Sequence, residues 1–157
     1  MDCTDNGMNP SENHKVVYYS SNDIEEQIDP PPSNLITKFA SIEEWLNVIC
    51  DEKKPDLFIA TYKIGLLESP QEIIIYLVGI NSHSEGDTTQ IRIDFEPTAM
   101  YFSLPKNEYK NLNRDQLLNT LTVQLKSFSN TENFKSSFLS NANALKFETN
   151  GLTIWTK

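Results

Sequence analysis

The sequence predicts an α+β domain: an antiparallel β-sheet of about five to six strands, two to three helices packed on it, and a C-terminal β-hairpin. Three observations predict it. A capped amphipathic helix begins at Ser41. Apolar extended runs separated by turn residues fill 57–104. Asn150-Gly151 lies between two short β-type segments at the end of the chain.

Residues 1–33 differ from the rest in composition. They are rich in Asn, Asp, Ser and Pro and end in Asp29-Pro30-Pro31-Pro32, where consecutive prolines impose an extended backbone. They read as a flexible, acidic leader closed by a stiff spacer, with the α+β domain spanning 34–157. Within the leader, Val16-Val17-Tyr18-Tyr19 can add an edge strand.

The body opens with a short extended segment, Leu35–Phe39. Ser41-x-x-Glu44 is a capping box, and Ile42, Trp45, Leu46, Ile49 and Cys50 follow at the spacing of one helical face. Lys53 and Lys54 suit a helix C-terminus, and Pro55 supplies a stop. Strands are expected over Leu57–Ile64, with Phe58, Ala60, Tyr62 and Ile64 on one face, and over Glu72–Ile80. The second run is almost continuously apolar, as a strand covered on both faces would be. Gln90–Glu96 alternates, with Ile91, Ile93 and Phe95 on one face and Arg92, Asp94 and Glu96 on the other. Pro97 interrupts it, and Ala99–Leu104 resumes an extended course.

Asn113 with Gln116 caps a second helix whose apolar stripe is Leu117, Leu118, Leu121, Leu125 and Phe128. A short helix is expected over Thr131–Leu139. The hairpin places Leu145, Phe147, Thr149, Leu152, Ile154 and Thr156 on one face, and Lys146, Glu148, Thr153 and Trp155 on the other, around a two-residue Asn150-Gly151 turn.

The formal net charge is −9 over 157 residues, made up of −6 in residues 1–33, −6 in 34–96 and +3 in 97–157. Such a field repels nucleic-acid phosphate and attracts a basic protein. No signal peptide or membrane span is visible, and two widely separated cysteines, Cys3 and Cys50, fit a reducing compartment. A cytoplasmic location, with neither a nucleic-acid nor a membrane partner, is the expectation.

Catalytic chemistry has little to draw on. The two histidines, His14 and His83, fall in the leader and in a polar loop. No nucleophile elbow or phosphate-binding glycine loop is present. His83, Glu85 and Asp87 offer three ligand types in a turn-like stretch, but residues of this kind dominate turns for backbone reasons alone. Asp94 and Glu96 have a spacing that a carboxylate hydrolase tolerates and that any half-solvated strand also shows. No metal or cofactor is expected.

The resulting expectation is a non-enzymatic binding protein with a basic partner, of the kind represented by an immunity protein that neutralises a nuclease-like bacterial toxin. The expected partner-binding residues are Glu43, Glu44, Asp51, Glu52, Glu85, Asp87, Asp94 and Glu96, with Trp155 as an aromatic anchor. The alternatives are an adaptor that docks through the proline-bearing leader and a small carboxylate- or metal-dependent hydrolase.

Overall fold

A computed structural model describes residue 31, residues 39–85 and residues 88–157, without the side chains of 82–85 and 88–92. The leader strand, Cys3, His14, the Leu35–Lys38 segment, and the ligand trio His83, Glu85 and Asp87 therefore lie outside the described residues or side chains. The elements are α1 (Ile42–Cys50), β1 (Thr61–Glu68), β2 (Ile73–Glu85), β3 (Thr88–Phe95), β4 (Tyr101–Ser103), α2 (Arg114–Ser129), α3 (Glu132–Lys135), β5 (Ala144–Phe147) and β6 (Leu152–Thr156). They form one α+β fold around a six-stranded sheet of order β3-β2-β1-β5-β6, with β4 also paired to β2.

Four of the five pairings are antiparallel, and β1 with β5 is parallel from Thr61↔Ala144 to Ile64↔Phe147. A long connection through β2, β3, β4, α2 and α3 separates β1 from β5, which allows the parallel direction. β3 and β4 share one edge of β2: β3 pairs with Gly79–Glu85 and β4 with Ile74–Tyr76. The Pro97 interruption lies between them.

The helix at 42–50 buries the five residues of its predicted stripe. Ser41 accepts a bond from the Glu44 amide at 3.1 Å, and the Glu44 carboxylate reaches back to the Ala40 amide at 2.7 Å. The stop is earlier than Pro55 would set it. Asp51 is the C-cap, and Lys53 and Lys54 lie beyond the helix. In α2 the Asn113–Gln116 capping box is complete in both directions. The short helix after it comprises only Glu132–Lys135, followed by a 3-10 turn at Phe138–Asn141.

Helices cover one face of the sheet. There Trp45, Leu46, Leu121, Leu125, Phe128 and Phe134 pack with Tyr62, Ile64, Ile75, Leu77, Phe102, Leu145 and Phe147 in a single core. The opposite face carries a second buried cluster of Leu67, Ile74, Tyr76, Val78, Ile80 and Met100. Over Ile73–Ile80, β2 is thus buried on both sides, as its continuous apolar run predicts.

Three expected features are displaced, each for a local reason. β1 starts at Thr61 rather than Leu57, and Leu57 and Phe58 are exposed. The backbone there is satisfied by a side chain in place of a ladder: Asn81 accepts from the Ala60 amide at 2.6 Å and donates to the Phe58 carbonyl at 2.9 Å. Second, the ladder shifts register between Gly79/Phe95 and Ile80/Ile93, leaving Asp94 as the extra residue of a β-bulge. Ile93 and Phe95 consequently join opposite clusters instead of sharing a face.

The third displacement is a bulge in the terminal hairpin. Leu145 faces Trp155 and Lys146 faces Thr153, so Ile154 is the inserted residue. Trp155 thereby turns to the helix side, where its ring meets Phe134 edge-on at 5.0 Å, rather than sharing a face with Lys146. The turn is also longer than two residues. Glu148–Asn150 form a 3-10 turn that closes on Gly151 at φ 69°, a left-handed conformation suited to glycine.

Candidate functional site

Among the expected acids with described side chains, Glu43 and Glu44 stand apart from the others. Glu43 and Glu44 sit in the first turn of α1, and Glu44 is engaged in capping. Asp51 and Glu52 follow its other end, nine residues away, about 13 Å at 1.5 Å per residue. Trp155 is on β6, separated in the sheet from β3 by β5, β1 and β2. The side chains of Glu85 and Asp87 are outside the described set.

Three of the acids do converge. Glu52, Asp94 and Glu96 line an open groove of about 480 Å³, together with Lys53, Lys54, Pro55, Asp56, Leu57, Phe95 and Thr98. Four carboxylates and two lysines, Lys53 and Lys54, thus line the groove together with the apolar Leu57 and Phe95. Exposed Phe58, next to Leu57, extends that apolar surface: the two are 60% and 48% accessible respectively, high values for large hydrophobic side chains. Sequence reasoning missed Asp56, Leu57 and Phe58, having read 57–58 as the start of a strand. The run Lys53-Lys54-Pro55-Asp56 directly before Leu57 is turn-like and marks the segment as a loop.

The four carboxylates have different duties. Glu52 accepts from the Thr98 amide at 2.7 Å and from the Ala99 amide at 2.8 Å, clamping the bend between β3 and β4 to the end of α1. Asp94, half-buried at the bulge, accepts from the Asn81 amide at 2.8 Å. Asn81 in turn holds Ala60 and Phe58, so a polar chain from Asp94 fixes the loop that presents the exposed aromatic ring. Asp56 has only a loose, fully solvated pairing with Lys53 at 4.0 Å, and Glu96 is exposed. Two acids build the groove, and the other two, Asp56 and Glu96, hold no described backbone group.

Removing the Glu52 carboxylate leaves two backbone amides to find water. Glu52→Ala is expected to cost about 1.5–3 kcal/mol, the range for bonds to charged groups, and Glu52→Gln about half as much. Urea unfolding followed by circular dichroism measures both. Equal stability of Glu52→Ala and the parent would show that the clamp carries no weight.

Below the groove, Phe95 meets Tyr62 and Phe138 edge-on at 6.3 and 5.8 Å, and Tyr62 meets Phe138 at 6.0 Å. Tyr62 is 1% exposed, and among the described residues nothing hydrogen-bonds its hydroxyl. Burial alone pushes its pKa far above the ordinary 10.0. Because the folded pKa is raised, ionisation leaves stability untouched below the unfolded pKa and takes it away as pH rises from there toward the folded pKa. Tyr62→Phe is therefore expected to match or exceed the parent in stability at neutral pH, since an unpartnered hydroxyl contributes only its desolvation cost. Its advantage should widen above about pH 10, in denaturant titrations run across that range. A variant that is weaker at neutral pH would reveal a partner for the hydroxyl.

Other candidate groups offer less. The Cys50 thiol is buried and accompanied by Ser137, and burial raises its pKa, the reverse of an activated nucleophile. Among the described residues no three His, Cys, Asp or Glu side chains converge as metal ligands. No described helix is long and apolar enough to cross a membrane. A second hollow of about 240 Å³ contains Glu43 and Glu108 beside Ser127 and Phe128, with no comparable exposed apolar residue. Comparison with known proteins adds no relative: no family model, no curated protein and no solved structure matches the chain.

Proposed function

We propose that the protein is a cytoplasmic, non-enzymatic binding protein that neutralises a basic protein partner, such as a nuclease-like bacterial toxin, through the groove between the end of α1 and the β3 bulge. The observation that carries this reading is the pairing of exposed Leu57 and Phe58 with a carboxylate rim of Glu52, Asp56, Asp94 and Glu96. An apolar centre with a charged rim is the ordinary anatomy of a specific protein interface. The net charge of −9 steers a cationic partner toward the molecule and a nucleic acid away from it.

The test is direct. The product of the gene adjoining this one is co-expressed with and without the protein, and its toxicity and its salt-dependent affinity for the purified chain are measured. Neutralisation with affinity that weakens between about 50 mM and 500 mM salt supports the reading, because exposed charges are screened over that range. Unaltered toxicity together with no measurable affinity rejects it.

A further inference from the structure

The Asn150-Gly151 pair of the terminal turn has a chemistry that partner binding does not use. A backbone nitrogen that follows asparagine can attack the side-chain amide carbon and close a five-membered ring. Glycine puts no Cβ in the way of that ring. Gly151 is exposed, and a Cβ built on it would meet no atom within 4 Å apart from its chain neighbours. The site therefore has room for the ring and for water.

Hydrogen bonds occupy each of the reacting groups. The leaving nitrogen, Asn150 Nδ2, donates to Thr122 Oγ1 of α2 at 3.1 Å. Asn150 Oδ1 accepts from the Leu152 amide at 3.2 Å, so the carboxamide is held at both ends. The attacking nitrogen, Gly151 N, donates its proton to the Glu148 carbonyl at 3.2 Å. Attack needs that proton removed and the carboxamide carbon turned onto the nitrogen, so the bonds to Glu148 and Thr122 must open first. Thr122 is a firm anchor: it is buried, and its own hydroxyl proton goes to the Leu118 carbonyl at 2.8 Å, which leaves a lone pair for Asn150. The preceding turn residues bind β1 instead, Glu148 to Lys63 at 3.2 Å and Thr149 Oγ1 to the Leu66 amide at 2.8 Å. Asn150 adds the tie from the turn to α2.

We propose that Asn150 is a deamidation site that the fold holds closed through Thr122, and that its reaction unties the terminal hairpin from α2. Gly151 N bonds to Asn150 Cγ, the Cγ–Nδ2 bond breaks, and ammonia departs with the Gly151 proton. Water then opens the ring at one of its two carbonyls, leaving aspartate or isoaspartate. Aspartate puts an acceptor oxygen where the donor Nδ2 stood. The Thr122 hydroxyl must then release Leu118 to donate to it, or face it lone pair to lone pair. Isoaspartate draws the side-chain carbon into the backbone, which lengthens the turn and leaves Thr122 without its donor. The turn joins β5 to β6, the edge of the sheet farthest from β3, so the groove keeps its shape while the hairpin loosens.

Prolonged incubation of the full chain at neutral pH tests this, with peptide mapping by mass spectrometry to follow Asn150 apart from the same dipeptide at Asn6-Gly7. Conversion in the native chain is expected to be at least about tenfold slower than in urea, because only opened molecules react. Thr122→Val removes the acceptor but keeps the branched shape, and is expected to speed conversion about three- to tenfold, the weight of one hydrogen bond. Thr122→Ser keeps the hydroxyl and should stay near the parent rate. Trp45→Phe weakens the fold at α1, away from the turn, and should also leave the rate near the parent's. Equal rates in the native and urea-unfolded chains overturn the proposal. So does a Thr122→Val rate equal to the parent's, or one matched by Trp45→Phe, which would assign the reaction to the globally unfolded chain. Asn150→Asp, one of the two products, is expected to melt a few degrees below the parent. An unchanged Tm would overturn the untying of the hairpin.

Discussion

Trp45→Ala is expected to remove about 3–5 kcal/mol of folding stability, as deletion of a fully buried large aromatic does. A domain of this size holds about 5–15 kcal/mol in total, so the variant is expected to lie near or below the edge of folding at 37 °C. Trp45 is 0% exposed and stacks on Phe102 at 5.8 Å. Its indole N–H also donates to the Ala99 carbonyl at 2.6 Å. That bond and the Glu52 clamp hold the same bend, Trp45 through the Ala99 carbonyl and Glu52 through the Thr98 and Ala99 amides. α1 therefore fixes where β3 ends and β4 begins. Trp45→Phe preserves most of the ring packing and leaves one part-buried carbonyl unpaired, at an expected cost of about 1–3 kcal/mol. Urea unfolding of the three proteins by circular dichroism separates the packing part from the hydrogen bond. A Trp45→Ala protein within 1 kcal/mol of the parent would contradict the assignment of this residue to the centre of the core.

The features legible in the sequence are those determined by residues close together in the chain. Ser41 and Glu44 announce α1, Asn113 and Gln116 announce α2, and both buried stripes follow from helical spacing. The Ile73–Ile80 run is visible as a strand buried on both faces because neither side needs a polar residue. What was not legible depends on a partner strand. Alternation assigns Ile93 and Phe95 to one face, but the bulge at Asp94 reverses Phe95, and only the pairing with Gly79 and Ile80 sets that register. The same holds for Ile154 and Trp155. The parallel β1–β5 contact joins segments about eighty residues apart, and no local pattern encodes its direction.

The groove was half visible for the same reason. Three of its four acids, Glu52, Asp94 and Glu96, could be named from the sequence, but their convergence with Asp56 depends on the α1 terminus and on a bulge. Glu43 and Glu44, equal candidates on charge, stand at the far end of the helix. Leu57 and Phe58 looked like strand residues because they are apolar. The Asn81 side chain, more than twenty residues away, is what holds their segment out of the sheet.

That division between architectural and free carboxylates gives the sharpest test of binding by this surface. In Asp56→Lys/Glu96→Lys, two exposed acids that support no described backbone group are reversed, and the net charge moves from −9 to −5, two units per substitution. Folding stability is expected to stay within about 0.5 kcal/mol, the usual range for surface substitutions. Association with the basic partner is expected to slow by about 10- to 100-fold at low salt, because rim charges act mainly on the rate of encounter. The difference should shrink as salt is raised. Phe58→Ala is expected to show the complementary behaviour: an association rate close to the parent's, and dissociation accelerated about tenfold or more, as for loss of an aromatic anchor. Stopped-flow or surface-based kinetics at two salt concentrations resolves the two effects. If both variants bind as the parent does while remaining folded, the partner lands elsewhere. If instead Phe58→Ala weakens binding and the double reversal does not, the groove is the interface but its recognition is apolar, and the acidity of the molecule serves solubility alone.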